Sequence, residues 1–489
     1  MTIITRLSDL EINVKTANRL GSDFSEKSSV LAFHEEDEHM WMAMANPSDL
    51  GVINDAFDIS GFFIVPVQAD ENEIKTYVNK IFRQDAIAAI TLDFTSEMEF
   101  ASEVTDDSLT APAVRLINTI LEAGVLNKAS DIHIEPNGDT FRTRYRIDGG
   151  LVSFSKVGIN LLPNVISRLK VMGGLDITEK RIPQDGHFKS ITKYGKIDFR
   201  LSTLPTTMGE KAVIRILYSN ESKLTKLDLG LTDEEINDIS GLFNEPYGGI
   251  LVTGPTGSGK STTLNCFLSE ISNDRVNVIT VENPVENEIF GVNHVNIEKG
   301  GLGFAGALKY ILRQDPDVIM IGEIRDKETA EIAMQASITG HLVLSTLHTN
   351  DAVGAIERLV DMGVADYLVA SAIRGVISQR LVRKLCGNCT FSVELRLEEA
   401  KILGLNPGMQ IYESMGCSLC NHTGYKGRIA IFEVVKITNE IRRRIISDLP
   451  MFANEFRKKA SLKESAVKQL IAGRTTVSEI LRVLGRQNV

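Results

Sequence analysis

The run GGILVTG at 248–254, followed at once by PTGSGKS and then TTLNCFLSEI, constrains this chain more than any other feature. A short apolar strand, a glycine-rich turn and a helix in that order form a βα unit. Further β-branched runs follow: VNVITVE, DVIMIGE and HLVLSTLH, with a helical pattern over DKETAEIAMQASI between the last two. Strands alternating with helices imply a parallel sheet covered by helices on its faces. The turn itself, Gly254-Pro255-Thr256-Gly257-Ser258-Gly259-Lys260-Ser261 with Thr262 after it, satisfies G-x-x-x-x-G-K-[ST]. Gly257 and Gly259 let the backbone turn its N–H groups onto a β-phosphate, and the positive end of the following helix adds to them. Lys260 is placed to reach the β- and γ-phosphates, and the Ser261 hydroxyl to bind Mg²⁺. The plain alternative, a glycine-rich turn with a surface lysine, loses weight because strand and helix flank the motif as phosphate binding requires.

A triphosphate loop needs carboxylates before it can hydrolyse anything. Glu282 ends the apolar strand of VITVENPVE, with Glu286 four residues on. Glu323 follows the run Val318 to Ile321, which Asp317 precedes. A lone glutamate at a strand end is usually just solvated, but ligands of parallel sheets bind at the carboxyl ends of strands, so two such ends read as catalytic. His341 precedes and His348 follows the strand of TGHLVLSTLHTND. His348, between Leu347 and Thr349, is positioned to sense or orient a γ-phosphate.

The chain has 489 residues, which predicts about three domains. Residues 1–92, with a strand expected at 62–67 and a helix at 71–82, read as a small N-terminal α/β domain. Residues 93–111 read as an acidic linker, 112–220 as a second N-terminal α/β domain and 221–234 as a second linker. In that second linker Thr232 and Glu235 have the spacing of a helix capping box. Residues 235–489 read as the nucleotide-binding domain, with a mainly helical end after 430. Lys and Arg total 53 against 64 Asp and Glu, a formal charge of −11. That balance disfavours a surface built to coat nucleic acid or anionic lipid. The first residues lack the apolar segment of a secretory signal, and no stretch of about 18 apolar residues occurs, so a cytosolic chain is expected.

Cys386-Gly-Asn-Cys389 and Cys417-Ser-Leu-Cys420 are two C-x₂-C pairs. Four thiolates in two knuckles suit a closed, structural Zn²⁺ site. Cys266, within the helix after the phosphate loop, is expected simply to be buried. Arg380, Arg383, Lys384, Lys426 and Arg428 surround the knuckles in sequence and are expected to form a local cationic surface, either merely solvated or docking to an acidic patch on a partner protein.

Beyond these features, ASDIHIEP, RYRIDG, KRIPQDGHF, LSTLPTTMGEKAVIRIL, GPTGSGKSTT, ILRQDPDVIMIGEIRD and TGHLVLSTLHTN resemble the signatures of the assembly ATPases of type II secretion systems and type IV pili. The resemblance runs from about residue 110 to the C-terminus. It implies a RecA-like ATPase domain in a homo-hexameric ring that couples ATP hydrolysis to pilus or pseudopilus assembly, attached to the inner membrane through platform and docking partners. It assigns Lys260 and Ser261 to the Walker A pair, Glu323 to the Walker B carboxylate that holds Mg²⁺ through water, and Glu282 to the catalytic base. It also places His348 in the His box and makes Arg200 and Arg215 charge-neutralising residues for the γ-phosphate. The tetracysteine insertion resembles that of assembly rather than retraction motors. Where the family box reads Glu-Asp-Pro, this chain has Glu282-Asn283-Pro284, and ATP hydrolysis is expected to persist because Glu282 and Glu323 remain. A nucleic-acid translocase and a non-hydrolysing nucleotide-binding regulator are the competing readings.

Overall fold

In this computed structural model the described residues are 7, 12–71, 73–75, 77, 78, 81, 110–218, 225–297, 301–421, 423–457 and 462–485. Of the expected acidic linker only Thr110 and Ala111 fall within them, already as the start of a helix, and the helix expected at 71–82 is described only in part. Residues 219–220 of the second domain and 221–224 of the second linker are likewise outside them.

The N-terminal strands are β1 (Val30–Glu36), β2 (His39–Met44) and β3 (Phe63–Gln68), with β2 in the middle, antiparallel to β1 and parallel to β3. Alternation sends Leu31 and Phe33 to one core and Val30 and Ala32 to another, as the period of two requires. The strand expected to be buried at 62–67 is β3, one residue later, and it is only half-buried because it forms the edge of this sheet. Asp49 caps the helix Leu50–Ser60, its carboxylate accepting from the N–H groups of Gly51 and Val52.

A second sheet follows the helix Thr110–Leu126: β4 (Asp131–Asn137), β5 (Thr140–Ile147), β6 (Gly150–Gly158), β7 (Gln184–Thr192), β8 (Gly195–Thr206) and β9 (Gly209–Leu217). Its order is β6-β5-β4-β9-β8-β7 and every pair is antiparallel. Along β5, Phe141, Thr143 and Tyr145 are buried while Arg142, Arg144 and Arg146 alternate with them on the other face. The buried face packs on Thr110–Leu126 and on the helix Leu162–Met172.

The remaining strands are β10 (Gly248–Thr253), β11 (Val278–Glu282), β12 (Val292–Asn296), β13 (Val318–Ile321), β14 (Leu342–Leu347), β15 (Ile373–Leu385), β16 (Thr390–Glu394), β17 (Gln410–Ser414) and β18 (Tyr425–Lys436). Seven of them form one sheet in the order β12-β11-β13-β14-β10-β15-β18, parallel except for β18 at its edge. The central strands are apolar throughout because both faces are covered: Ile319 and Ile321 enter one core, Val318 and Met320 the other. Thr232 and Glu235 make the expected capping box at the start of the helix Asp233–Phe243. The mainly helical end expected after about 430 begins once β18 has run on to Lys436. Helices Asn439–Arg457, Leu462–Ile471 and Val477–Leu484 come after it. The apolar run of RIAIFEVV is explained by its place beside β15, where one face lies on the core under the C-terminal helices.

The chain divides into two compact units. One holds Met1–Tyr218 with Cys386–Cys389 and Met415–Gly424, and the other holds Ser219–Leu385, Thr390–Ser414 and Tyr425–Val489.

Candidate active site

Strand β10 ends at Thr253, and the glycine-rich turn then leads into the helix Lys260–Ile271. Gly254, Gly257 and Gly259 take φ of 153°, 77° and 85°. At Gly257 and Gly259 these angles are left-handed, where a side chain is strained. At Gly254 space forbids one, since a Cβ there would lie 2.5 Å from the Gln379 carbonyl oxygen, and a Cβ on Gly259 would lie 2.9 Å from Gln379 Nε2, which would have to move. Gln379, buried on β15, therefore walls the loop from below. The Lys260 ammonium donates to the carbonyls of Gly254 (2.9 Å) and Pro255 (3.1 Å). Burial pushes its pKa below the ordinary lysine value, Glu323 opposes that shift, and Arg380 adds to it. Pro255, Thr256, Gly257 and Ser261 are exposed along the loop and first helical turn, while Ser258 is buried and Thr262 half-buried.

The two expected carboxylates come from neighbouring strands. Val281 of β11 pairs with Ile321 of β13, so Glu282 and Glu323 leave the sheet at the same end, one residue apart in register from Gly322. The Gly322 N–H donates to the Val281 carbonyl at 2.8 Å, and the Thr346 hydroxyl of β14 donates to the Gly322 carbonyl at 2.6 Å. These bonds fix the turn that presents Glu323. Its carboxylate is paired with Arg325 and lies 3.4 Å from His348 Nε2. His348 thus sits beside Glu323, half-exposed, at the end of β14. Thr349, next to it, is tied to Thr253 by a hydroxyl–hydroxyl contact of 2.5 Å and by its own N–H, which donates to Thr253 Oγ1 at 3.1 Å. His341, at the opposite end of β14, is remote from this group and instead contacts the Ala336 carbonyl. Glu286 and Asn283 are exposed.

Glu282 is buried, and one of its oxygens is held by two neighbours. The Thr280 hydroxyl donates to Oε1 at 2.8 Å and His294 Nδ1 lies 3.1 Å from the same atom. Sequence reading missed His294. Only the pairing of β12 with β11, which sets His294 opposite Thr280, shows its purpose.

Arg380 is the second correction. It is not part of a cationic surface round the knuckles: its guanidinium donates to the Asn350 carbonyl at 2.8 Å and contacts Asn350 Oδ1 at 3.2 Å, on the phosphate-loop side of β15. Burial pushes its pKa down, with Asp351 and Glu433 opposing. Arg383 is withdrawn too, since it donates to the buried Glu479. Lys384, Lys426 and Arg428 remain exposed.

Arg200 and Arg215 stand directly opposite each other on the antiparallel pair β8–β9. Both are exposed, and Arg215 donates to Asp131 Oδ1 at 3.0 Å. Like charges directly opposite in such a cross-strand pair are unfavourable, and the Asp131 carboxylate offsets the one on Arg215.

The four paired cysteines converge as expected. Their sulfurs all lie within 4.8 Å of one another, with Cys386–Cys417 and Cys417–Cys420 at 3.8 Å and Cys389–Cys420 at 3.9 Å. A tetrahedral site with metal–sulfur bonds of about 2.3 Å has sulfur–sulfur edges of about 3.8 Å, so the thiols fit a metal ion such as zinc. Burial would raise the Cys417 thiol, but hydrogen bonds from Asn388, Cys420 and Cys386 bring it down to about 7, whereas burial pushes Cys386 and Cys389 up. Cys266 is buried and solitary as expected, its thiol pushed up to about 11 by burial. No helix among the described residues is long and apolar enough to cross a membrane.

Residues 106–482 match the family model described as type II/IV secretion system protein, and residues 4–88 match the MshEN domain. The type IV pilus assembly ATPase PilB of Myxococcus xanthus is 38% identical over 97% of this chain and 88% of its own length. The type II secretion system protein E of Pseudomonas aeruginosa is 37% identical over 98% of both. Among solved structures, the pilus retraction motor PilT with bound ADP is similar at a TM-score of 0.50 and 26% identity, covering 75% of this chain and 96% of that one. The Legionella pneumophila ATPase DotB is similar at a TM-score of 0.55 and 21% identity, covering 75% and 95%.

Proposed function

Since this chain belongs to the type II/IV secretion system protein family and is an ATP-hydrolysing enzyme of that family, we propose that it is a hexameric motor driving assembly of a type IV pilus or a type II secretion pseudopilus. The observation that carries the reading is the convergence of the glycine-rich loop, Glu282 and Glu323 at one end of a parallel sheet. The relatives named for pilus assembly and for secretion cover nearly the whole chain at similar identity, which supports both products equally. They favour a motor over a nucleic-acid translocase or a non-hydrolysing regulator.

In this reading the N–H groups of Gly257, Gly259 and Lys260 and the Lys260 ammonium bind the ATP phosphates. Mg²⁺, when bound, neutralises charge on the β- and γ-phosphates; Ser261 and, through water, Glu323 are the residues that would hold it. Glu282 orients the attacking water with its free oxygen. His348, contacting Glu323, reports on the γ-phosphate, and Arg200 and Arg215 offset its charge. Their cross-strand placement on β8 and β9, with both side chains exposed, supports an anion-facing role. Cys386, Cys389, Cys417 and Cys420 hold a structural Zn²⁺. We further assign residues 1–92 to a docking domain, 93–111 and 221–234 to linkers, 112–220 to a second N-terminal domain and 235–489 to the ATPase domain. Contact with the inner membrane from the cytoplasmic side goes through platform and docking proteins.

The test is Mg²⁺-dependent ATP turnover by the purified full chain, together with pilus or exoprotein output from a strain lacking it. A chain that turns over ATP but restores neither output on re-expression rules out the assembly role. Turnover absent with Asn283 and regained in Asn283→Asp would show that the departure at 283 disables the site.

A further inference from the structure

His294 is a largely buried titratable side chain in contact with Glu282 to which the functional reading gives no task. It lies on β12 opposite Thr280 of β11. The Ile289 N–H donates to its Nε2 at 3.0 Å. A backbone N–H can only donate, so Nε2 must carry a lone pair and the proton of the neutral ring must sit on Nδ1. Nδ1 in turn lies 2.8 Å from Thr280 Oγ1 and 3.1 Å from Glu282 Oε1. The Thr280 hydroxyl donates to that same Oε1 at 2.8 Å. The polarity of the whole chain of bonds is therefore fixed from one end: Ile289 N–H to Nε2, then Nδ1–H to Thr280 and Glu282, and the Thr280 O–H to Glu282. Thr280, Glu282 and His294 are all buried or nearly so.

We infer that His294 is a positioning residue for Glu282, locking the carboxylate through Oε1 in an orientation that leaves Oε2 for the attacking water. This deepens the assignment of Glu282 above and rests on it. Two donors on Oε1 select a single rotamer and so aim Oε2, the oxygen that meets the water. A purely apolar side chain at 294 would leave the Ile289 N–H and one side of Oε1 without partners. Glutamine, by contrast, offers an acceptor to Ile289 and a donor to Glu282 in one side chain.

The experiment uses the full-length protein and compares kcat, KM and fluorescent-nucleotide affinity for His294→Leu, His294→Gln, Thr280→Val, Glu282→Gln and the double variant Glu282→Gln/His294→Leu. His294→Leu is expected to lower kcat about tenfold, the rate equivalent of one charge-assisted hydrogen bond, with nucleotide affinity unchanged. His294→Gln should restore most of that loss. Thr280→Val, close to isosteric, should lower kcat several-fold with a melting temperature near the wild type. In the Glu282→Gln background His294→Leu should cost nothing further, because its effect passes through the carboxylate. Wild-type kcat in His294→Leu, or in Thr280→Val should the leucine variant fail to fold, overturns the inference. So does an equal loss from His294→Leu with and without Glu282. Full turnover in Glu282→Gln is a different failure, since it removes the role of Glu282 itself whatever His294 does.

Discussion

At the scale of single residues, charge placement separates what acts from what holds. Lys260 is buried against loop carbonyls and is proposed to bind phosphate, so a truncation there removes a charge but no packing the core needs. Lys260→Ala is expected to lower ATP turnover by at least about a hundredfold with a melting temperature near that of the wild type, as followed by coupled phosphate release and calorimetry. Glu479 is the contrasting case: fully buried, it accepts from Arg383 and Arg482 on the last described helix. Burial alone would raise its pKa, but those hydrogen bonds carry it down to about 2. A folded pKa below the unfolded one means that the carboxylate stabilises fully above about pH 4.5 and that this contribution is lost as pH falls from there towards 2. Glu479→Gln should accordingly cost about 2 kcal/mol near neutral pH, and the difference from wild type should shrink across that acid window in denaturant titrations.

At the scale of elements, the cysteine knuckles and the strands around the phosphate loop answer to different forces. If the four thiols hold zinc, metal analysis should find about one zinc per chain. Cys417→Ser should lose it and melt at a lower temperature, while keeping nucleotide affinity at the loop on β10. One zinc retained by Cys417→Ser would exclude this ligand set. Much of this level was legible in the sequence. The C-x₂-C spacing, the loop between strand and helix, and the apolar runs of β10, β11, β13 and β14 each carry their own local signal. What was not legible depended on pairing. His294 reads as one polar residue in VNHVN until β12 lies beside β11. Arg380 and Arg383 read as neighbours of Cys386 until the alternation along β15 sends one towards Asn350 and the other to Glu479. Where β18 ends and the helical end begins was not legible, because a strand apolar on both faces has no clean period of two.

At the scale of the whole molecule, the reading as a ring motor predicts that activity and assembly can be separated. Native mass measurement of the purified chain should show six copies, sharpened by nucleotide, and Arg200→Ala or Arg215→Ala should lower kcat by about a hundredfold or more while leaving both ring mass and nucleotide affinity unchanged. Loss of affinity in step with kcat would place those arginines in binding or folding instead. Strand β15 also limits how such a chain can change length over time. Its residues Gln379, Arg380 and Arg383 serve three different neighbours, and Cys386 follows directly on its end. Because a one-residue shift turns every side chain of a strand to the opposite face, a single deletion between Ile373 and Ser378 would throw the loop wall, the guanidinium beside Asn350 and the lead cysteine out of register together. Insertions and deletions tolerated during divergence should therefore collect in the hairpin from Thr390 to Ser414, between the two knuckles, and leave β15 at constant length.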